Sequence, residues 1–212
     1  SSHTFLVRAM DEGGNVDATP ASYSWKVKPN QPPVADAGGP YNGNEGSSIT
    51  LNASPSSDPD KNIASYEWDL DDDGQFDDAT GMKPKFFTID NGVFTVHVRV
   101  TDTGGLNSID SAMVIVRNLP PVVTSLSLNS SVRVGAIVNA LATFKDAGII
   151  DTFTATWKWG DGTTSTGTIS GYNVSGSHTY LKPGFYLVRI TIKDNNGAVT
   201  QTFKMILVIP KR

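Results

Sequence analysis

The stretch Gly92-Val-Phe-Thr-Val-His-Val-Arg-Val-Thr-Asp102 decides the fold class. Valine recurs at every second position, putting Val96, Val98 and Val100 on one face, the period of a half-buried β-strand. The same pattern returns 92 positions later in Gly184-Phe-Tyr-Leu-Val-Arg-Ile-Thr-Ile-Lys-Asp194, with Val188, Ile190 and Ile192 on the corresponding face. A third copy begins near the start of the chain, where Phe5, Val7 and Ala9 alternate ahead of Asp11. Each copy runs into an Asp and a Gly-containing turn. A second alternating strand follows, carrying Tyr23/Trp25/Val27, Ala112/Val114/Val116 and Phe203/Met205/Leu207 respectively. Three copies at one period identify a repeat whose unit closes on a hairpin.

Working outward, Lys28-Pro-Asn-Gln-Pro-Pro33 and Arg117-Asn-Leu-Pro-Pro121 each follow a closing strand. Paired prolines force extended backbone without a donor, so both read as short, stiff linkers. The chain therefore divides into residues 1–30, the last two strands of a preceding unit plus its linker; residues 31–118; and residues 119–212. Each whole repeat is expected to hold about seven short strands, such as 48–52, 64–70, 93–101 and 110–116. Helical apolar spacing is absent. The expected fold is all-β: tandem immunoglobulin-like β-sandwiches without significant helix.

Composition narrows the function. The 212 residues hold no cysteine and three histidines, which removes disulfides, thiolate nucleophiles and Cys-bound zinc. No apolar run approaches membrane-spanning length, and the first residues lack the basic and apolar regions of a signal peptide. The net charge of −4 hides a dipole: residues 31–118 carry five basic against fourteen acidic groups, and residues 119–212 nine against four. Opposite charge on neighbouring repeats favours head-to-tail contact. No phosphate-binding loop opens a helix, no basic stripe suggests nucleic acid, and no serine can be paired with an activating histidine.

Several spaced motifs resemble the polycystic-kidney-disease (PKD) repeat, an immunoglobulin-like sandwich of many extracellular proteins. In the last repeat these are Trp157-Lys-Trp159-Gly160-Asp161-Gly162-Thr163, Ser177-His178-Thr-Tyr180 and Gly184-Phe-Tyr186. In the middle repeat they are Pro33-Val-Ala-Asp-Ala-Gly-Gly-Pro-Tyr41, Ser57-Asp58-Pro-Asp60 and Tyr66-Glu-Trp68-Asp69. The resemblance implies a non-catalytic structural or adhesive segment of an extracellular or cell-surface protein, whose partners are other domains of the same polypeptide and protein or polysaccharide surfaces. It also implies an alternative, an accessory substrate-binding module of a secreted hydrolase, with Tyr41, Tyr172 or Tyr23 as stacking residues. Neither nucleic acid nor membrane insertion is implied. The motif residues themselves suit fold-keeping roles: indoles for the core, and Asp-Gly for a tight turn.

One segment exceeds architecture. Asp69-Leu-Asp71-Asp72-Asp73-Gly74-Gln75-Phe76-Asp77-Asp78 places six carboxylates in ten residues. Counted from Asp69, positions 1, 3 and 5 are Asp69, Asp71 and Asp73, position 6 is Gly74, position 7 is Gln75 and position 9 is Asp77, the first part of an EF-hand calcium loop. Position 12 is Thr80, so the bidentate Glu is missing. The resemblance sets the loops of Asp58, Asp60 and Asp102 at the same end of the sandwich, and these are expected to complete the shell. An all-oxygen donor set favours calcium; the other reading is a solvated acidic loop whose Asp side chains cap turns. The last repeat, with Asp161 alone in the matching loop, is expected to respond little to calcium. The unpartnered apolar face of residues 1–30 is expected either to have had its partner strands removed upstream or to dock on a sheet, within the chain or in a second copy.

Overall fold

The structure, a computed structural model, describes residues 1–211 and contains only strands and connecting turns. No helix is long and apolar enough to cross a membrane. An N-terminal hairpin pairs β1 (Ser2–Val7) with β2 (Ala21–Lys26), and the side chains of both strands are exposed. Phe5 lies opposite Tyr23, and Trp25 stacks on both His3 and Tyr23.

The middle repeat contains β3 (Tyr41–Asn44), β4 (Ser48–Thr50), β5 (Ile63–Asp69), β6 (Ala79–Thr80), β7 (Lys85–Phe87), β8 (Gly92–Asp102) and β9 (Asn107–Arg117). Five of these form a sheet in the order β3-β9-β8-β5-β6, and β4 pairs with β7. The last repeat contains β10 (Val122–Ser127), β11 (Ser131–Arg133), β12 (Ile137–Lys145), β13 (Phe153–Lys158), β14 (Thr164–Thr166), β15 (Thr168–Ser170), β16 (Asn173–Thr179), β17 (Gly184–Asp194) and β18 (Val199–Ile209). Its sheets run β11-β18-β17-β13-β14 and β10-β12-β16-β15. In both repeats an early strand pairs in parallel with the closing one: β3 with β9, and β11 with β18.

The alternating valines and isoleucines do what their period dictates. Val96, Val98 and Val100 on β8, and Val188, Ile190 and Ile192 on β17, are fully buried. Each core is built around tryptophan, and each indole N–H finds an acceptor: Trp68 donates to Gly81 O, Trp157 to Ser175 O and Trp159 to Ser165 Oγ. Gly176 admits the Trp157 ring edge, since a Cβ there would sit 2.5 Å from its Nε1. Truncating such a buried indole costs about 3–5 kcal/mol.

The face of β18 differs from the expectation. Phe203 and Met205 are 63% and 57% exposed, while Ile206 and Val208 are buried. Both parities of this strand carry large apolar residues, so alternation alone cannot choose between them. The choice is made by register with β17, which sets Met205 beside outward Leu187 and Phe203 beside Arg189.

Candidate metal centre

The Asp69–Asp78 loop is held by its own carboxylates. Asp69, 1% exposed at the end of β5, accepts from Asp72 N through Oδ1 (2.7 Å) and from Gly74 N through Oδ2 (2.9 Å). Asp73 accepts from Gln75 N and Nε2, and Asp78 from Leu70 N. Asp72 and Gly74 take positive φ (62° and 86°), the backbone reversal these bonds stabilise. Asp69, Asp71 and Asp73 still offer oxygens within 4.8 Å of one another. Desolvation, with Asp78 and Asp73 nearby, pushes the Asp71 carboxyl up. Asp72 is drawn aside by His97 Nε2 at 2.9 Å. Asp77 makes no side-chain hydrogen bond among those found, and Gln75 bonds only within the loop.

The expected completion of this shell by Asp58, Asp60 and Asp102 does not occur. Ile63 pairs with Asp102 at one end of β5, whereas Asp69 pairs with His97 at the other. Five residue steps along β8 separate the two positions, about 16 Å at strand rise. The three carboxylates instead gather at the leading end of the middle repeat, where the preceding linker enters. There Asp58 Oδ1 accepts from Asp60 N (2.6 Å), and Asp60 Oδ2 from Gln31 N (2.8 Å). Asp102 Oδ2 accepts from Asn30 Nδ2 (2.7 Å). The Lys28 ammonium contacts Asp60 Oδ1 at 2.6 Å, and with the Gln31 amide it holds the Asp60 carboxyl below the usual range.

The leading end of the last repeat repeats two of these bonds. Asn118 Nδ2 donates to Asp194 Oδ2 (3.0 Å), and Gly148 N to Asp146 Oδ1 (2.9 Å). Leu119 N, in the place of Gln31 N, donates to a carboxylate oxygen at 2.6 Å, but that oxygen is Glu45 Oε1 of the middle repeat. Glu45 follows β3 in the β3–β4 turn and is 1% exposed. Glu45, Asp146 and Asp151 bring carboxylate oxygens within 4.8 Å of one another, with Asp194 3% exposed alongside. Glu45 Oε2, Asp146 Oδ2 and both Asp151 oxygens are buried without a hydrogen-bond partner, as are Asn91 Oδ1 and Asn118 Oδ1. Burial and the neighbouring Glu45, Asp146, Asp90 and Asp194 push the Asp151 carboxyl up to about 6. Burial likewise raises Glu45, against the Leu119 amide. No ion pair among the described residues reaches this cluster. Sequence reasoning passed over Glu45, Asp146 and Asp151. The available signal was the recurrence of Asn30, Asp58 and Asp102 as Asn118, Asp146 and Asp194.

The tryptophan and histidine motifs of the last repeat are structural. Trp157 and Trp159 stack at 5.6 Å, and Tyr180 donates to Trp159 O while stacking on Tyr186 at 4.3 Å. Burial pushes the Tyr180 phenol up. Burial opposes ionisation of Asp161, but bonds from Thr163 and His178 hold its carboxyl below the usual range.

Comparison with known proteins agrees with this architecture. The chain is 32% identical over 133 residues to the dyslexia-associated protein KIAA0319-like protein of Mus musculus, covering 56% of this chain and 12% of that one. It is 32% identical over 145 residues to the dyslexia-associated protein KIAA0319 of Homo sapiens, covering 63% and 13%. The chain thus spans about an eighth of the length of these curated relatives. Among solved structures it is similar to the PKD domain of an M14-like peptidase from Thermoplasmatales archaeon SCGC AB-540-F20, at 27% identity and a TM-score of 0.39, covering 45% of this chain and all of that one. The PKD domain family model matches twice, over residues 30–116 and 118–207, so the chain belongs to the PKD domain family as a tandem pair.

Proposed function

We propose that this segment is a non-catalytic spacer and interaction element of an extracellular or cell-surface protein, in which two PKD sandwiches are joined stiffly end to end. The observation that carries the reading is the direct bonding between them. Leu119 N donates to Glu45 Oε1, and Ile149 N to Ile89 O at 3.0 Å, so both sides of the junction are tied by hydrogen bonds. The connection is also short. β9 ends at Arg117 and β10 begins at Val122, leaving four residues of which two are proline. Such a linker has little freedom to redistribute the domains. Calcium in the Asp69–Asp78 loop belongs to the same reading as a local brace of the middle repeat, drawing Asp71 and Asp73 together.

Small-angle scattering of the 212-residue chain tests the joint: one extended profile, fitted by a single arrangement of the two sandwiches, is expected. A profile that requires a broad spread of lengths would sink the reading. The alternative, an accessory substrate-binding module, is less well supported. Tyr41 spends its hydroxyl on Ala37 O and Asn52 N, Tyr172 packs edge-on against Phe144 at 5.4 Å, and Tyr23 lies on the separate hairpin. A pull-down on chitin, cellulose and collagen distinguishes the two.

A further inference from the structure

We propose that Glu45, Asp146 and Asp151 bind a calcium ion that bridges the two PKD repeats. Four carboxylate oxygens from these residues are buried without a hydrogen-bond partner, and Glu45 is 1% exposed with Oε2 directed into the group. A buried carboxylate without partners is costly, and several sharing one site are costlier. The protein supplies no ammonium or guanidinium to offset them among the described residues.

A single bound proton, shared between two oxygens, would still leave two of the four without a partner. The backbone also leaves room for an occupant. A Cβ on Gly148 would fall 2.5 Å from Asp151 Oδ2 and 3.1 Å from Glu45 Oε2, so only glycine at this position keeps the cradle open. Oxygens within 4.8 Å of one another suit a single ion with metal–oxygen distances of about 2.4 Å, and three carboxylates without His or Cys select a hard cation. Calcium takes six to eight oxygens in irregular geometry, whereas magnesium demands a tight octahedron. The unpartnered Asn91 Oδ1 and Asn118 Oδ1 lie on the two segments bordering the junction. Glu45 comes from one repeat, and Asp146 and Asp151 from the other, so the ion would tie the two domains together. This binding site does not depend on what the array carries.

The test is calcium titration of the whole 212-residue chain by calorimetry at pH 7.5 after EDTA treatment, with thermal unfolding in EDTA and in calcium. Binding is expected to raise the melting temperature by on the order of 10 °C at a hundredfold excess over Kd. Glu45→Gln keeps the acceptor for Leu119 N, and Asp151→Asn keeps the shape of the side chain; each is expected to weaken calcium binding at least tenfold. Asp151→Asn also removes a repelling charge, so in EDTA it should melt above the unmodified chain, which separates lost binding from lost folding. The double variant Asp71→Asn/Asp73→Asn should retain the junction's binding. In the Asp71→Asn/Asp73→Asn chain, absence of calcium heat and thermal shift overturns the proposal, as does a response that survives the further changes Glu45→Gln and Asp151→Asn. Scattering separates this from the spacer reading: an array that is flexible in EDTA and stiffens when calcium binds sinks only the latter, whereas one that stays flexible with calcium bound overturns the bridge.

Discussion

The leading ends of the two repeats share two bonds and are balanced in opposite ways. In the middle repeat, Asn30, Asp58, Asp60 and Asp102 form a carboxylate cradle, and Lys28 on the preceding linker supplies a positive charge at 2.6 Å. In the last repeat, Asn118, Asp146 and Asp194 stand where Asn30, Asp58 and Asp102 do, with Gly148 in the place of Asp60. There the neighbouring repeat contributes Glu45, a further carboxylate, and no cation. Where a repeat carries its own ammonium, its leading end needs nothing from solution. Where the neighbour adds a carboxylate, the junction becomes dependent on an external ion. One cradle thus serves as a closed ion pair or as a conditional joint, according to one residue contributed by the preceding segment.

The strongest way to break this comparison is to give the junction its own ammonium. Placed in the Asp71→Asn/Asp73→Asn chain, Asp151→Lys should abolish the calcium-dependent rise in melting temperature, a loss on the order of 10 °C, while raising the EDTA value toward the calcium-bound one. Differential scanning calorimetry in both buffers reads the two effects. A variant that still gains stability from calcium would show that the charge at position 151 does not govern the joint.

A second, smaller effect concerns protons. The folded Asp151 carboxyl is raised to about 6, above its unfolded value near the model-peptide range of about 4. The native state therefore binds more protons than the unfolded state between those values. Calcium-free stability should be fully present below about pH 4 for this group and fall as pH rises through about 6, by on the order of 1 kcal/mol after allowance for solvent screening. Chemical denaturation in EDTA across this range should show the slope in the unmodified chain and lose it in Asp151→Asn.

The smallest effect reverses the experiment at the other end. Lys28→Met, placed in the Asp151→Lys background, leaves Asp58, Asp60 and Asp102 without their ammonium. The loss of stability should be slight, because Lys28 is largely exposed. A weak calcium response should appear where the background has none, measurable by thermal shift. No new response would mean that the two cradles differ in more than their counter-charge.

Much of the architecture was legible because it is local. The valines of β8 and the isoleucines of β17 declare their buried face through period alone, and the paired prolines mark both linkers. Elements that depend on pairing were less legible. β18 carries apolar residues on both parities, and only its register against β17 turns Ile206 and Val208 inward. The same limit separated Asp69 from Asp102: both close a strand ahead of a turn, but the end of β5 at which each lies is fixed by which residues of β8 face it. The Asp69–Asp78 loop drew notice because its acids are contiguous, yet Asp69 is spent on the amides of Asp72 and Gly74. The junction was silent for the opposite reason. Glu45 stands alone among Asn, Gly and Ser, and becomes part of a cluster only when two repeats meet. The expectation that residues 119–212 would respond little to calcium rested on the loop at Asp161 and took no account of Asp146, Asp151 and Asp194.

The parallel pairing of early and closing strands has a mechanical consequence. Tension applied along the chain pulls backward on β3 and forward on β9, so the two slide past one another. The paired residues from Tyr41 with Val114 to Asn44 with Arg117 are then loaded together, in shear. β11 and β18 are placed the same way, from Ser131 with Leu207 to Arg133 with Ile209. The N-terminal hairpin is the contrary case: Ser2 and Lys26 face each other at its open end, and a pull on them peels the ladder one rung at a time. Stretched from its ends, the array yields first at that hairpin, and each sandwich resists until a whole row of bonds gives way at once.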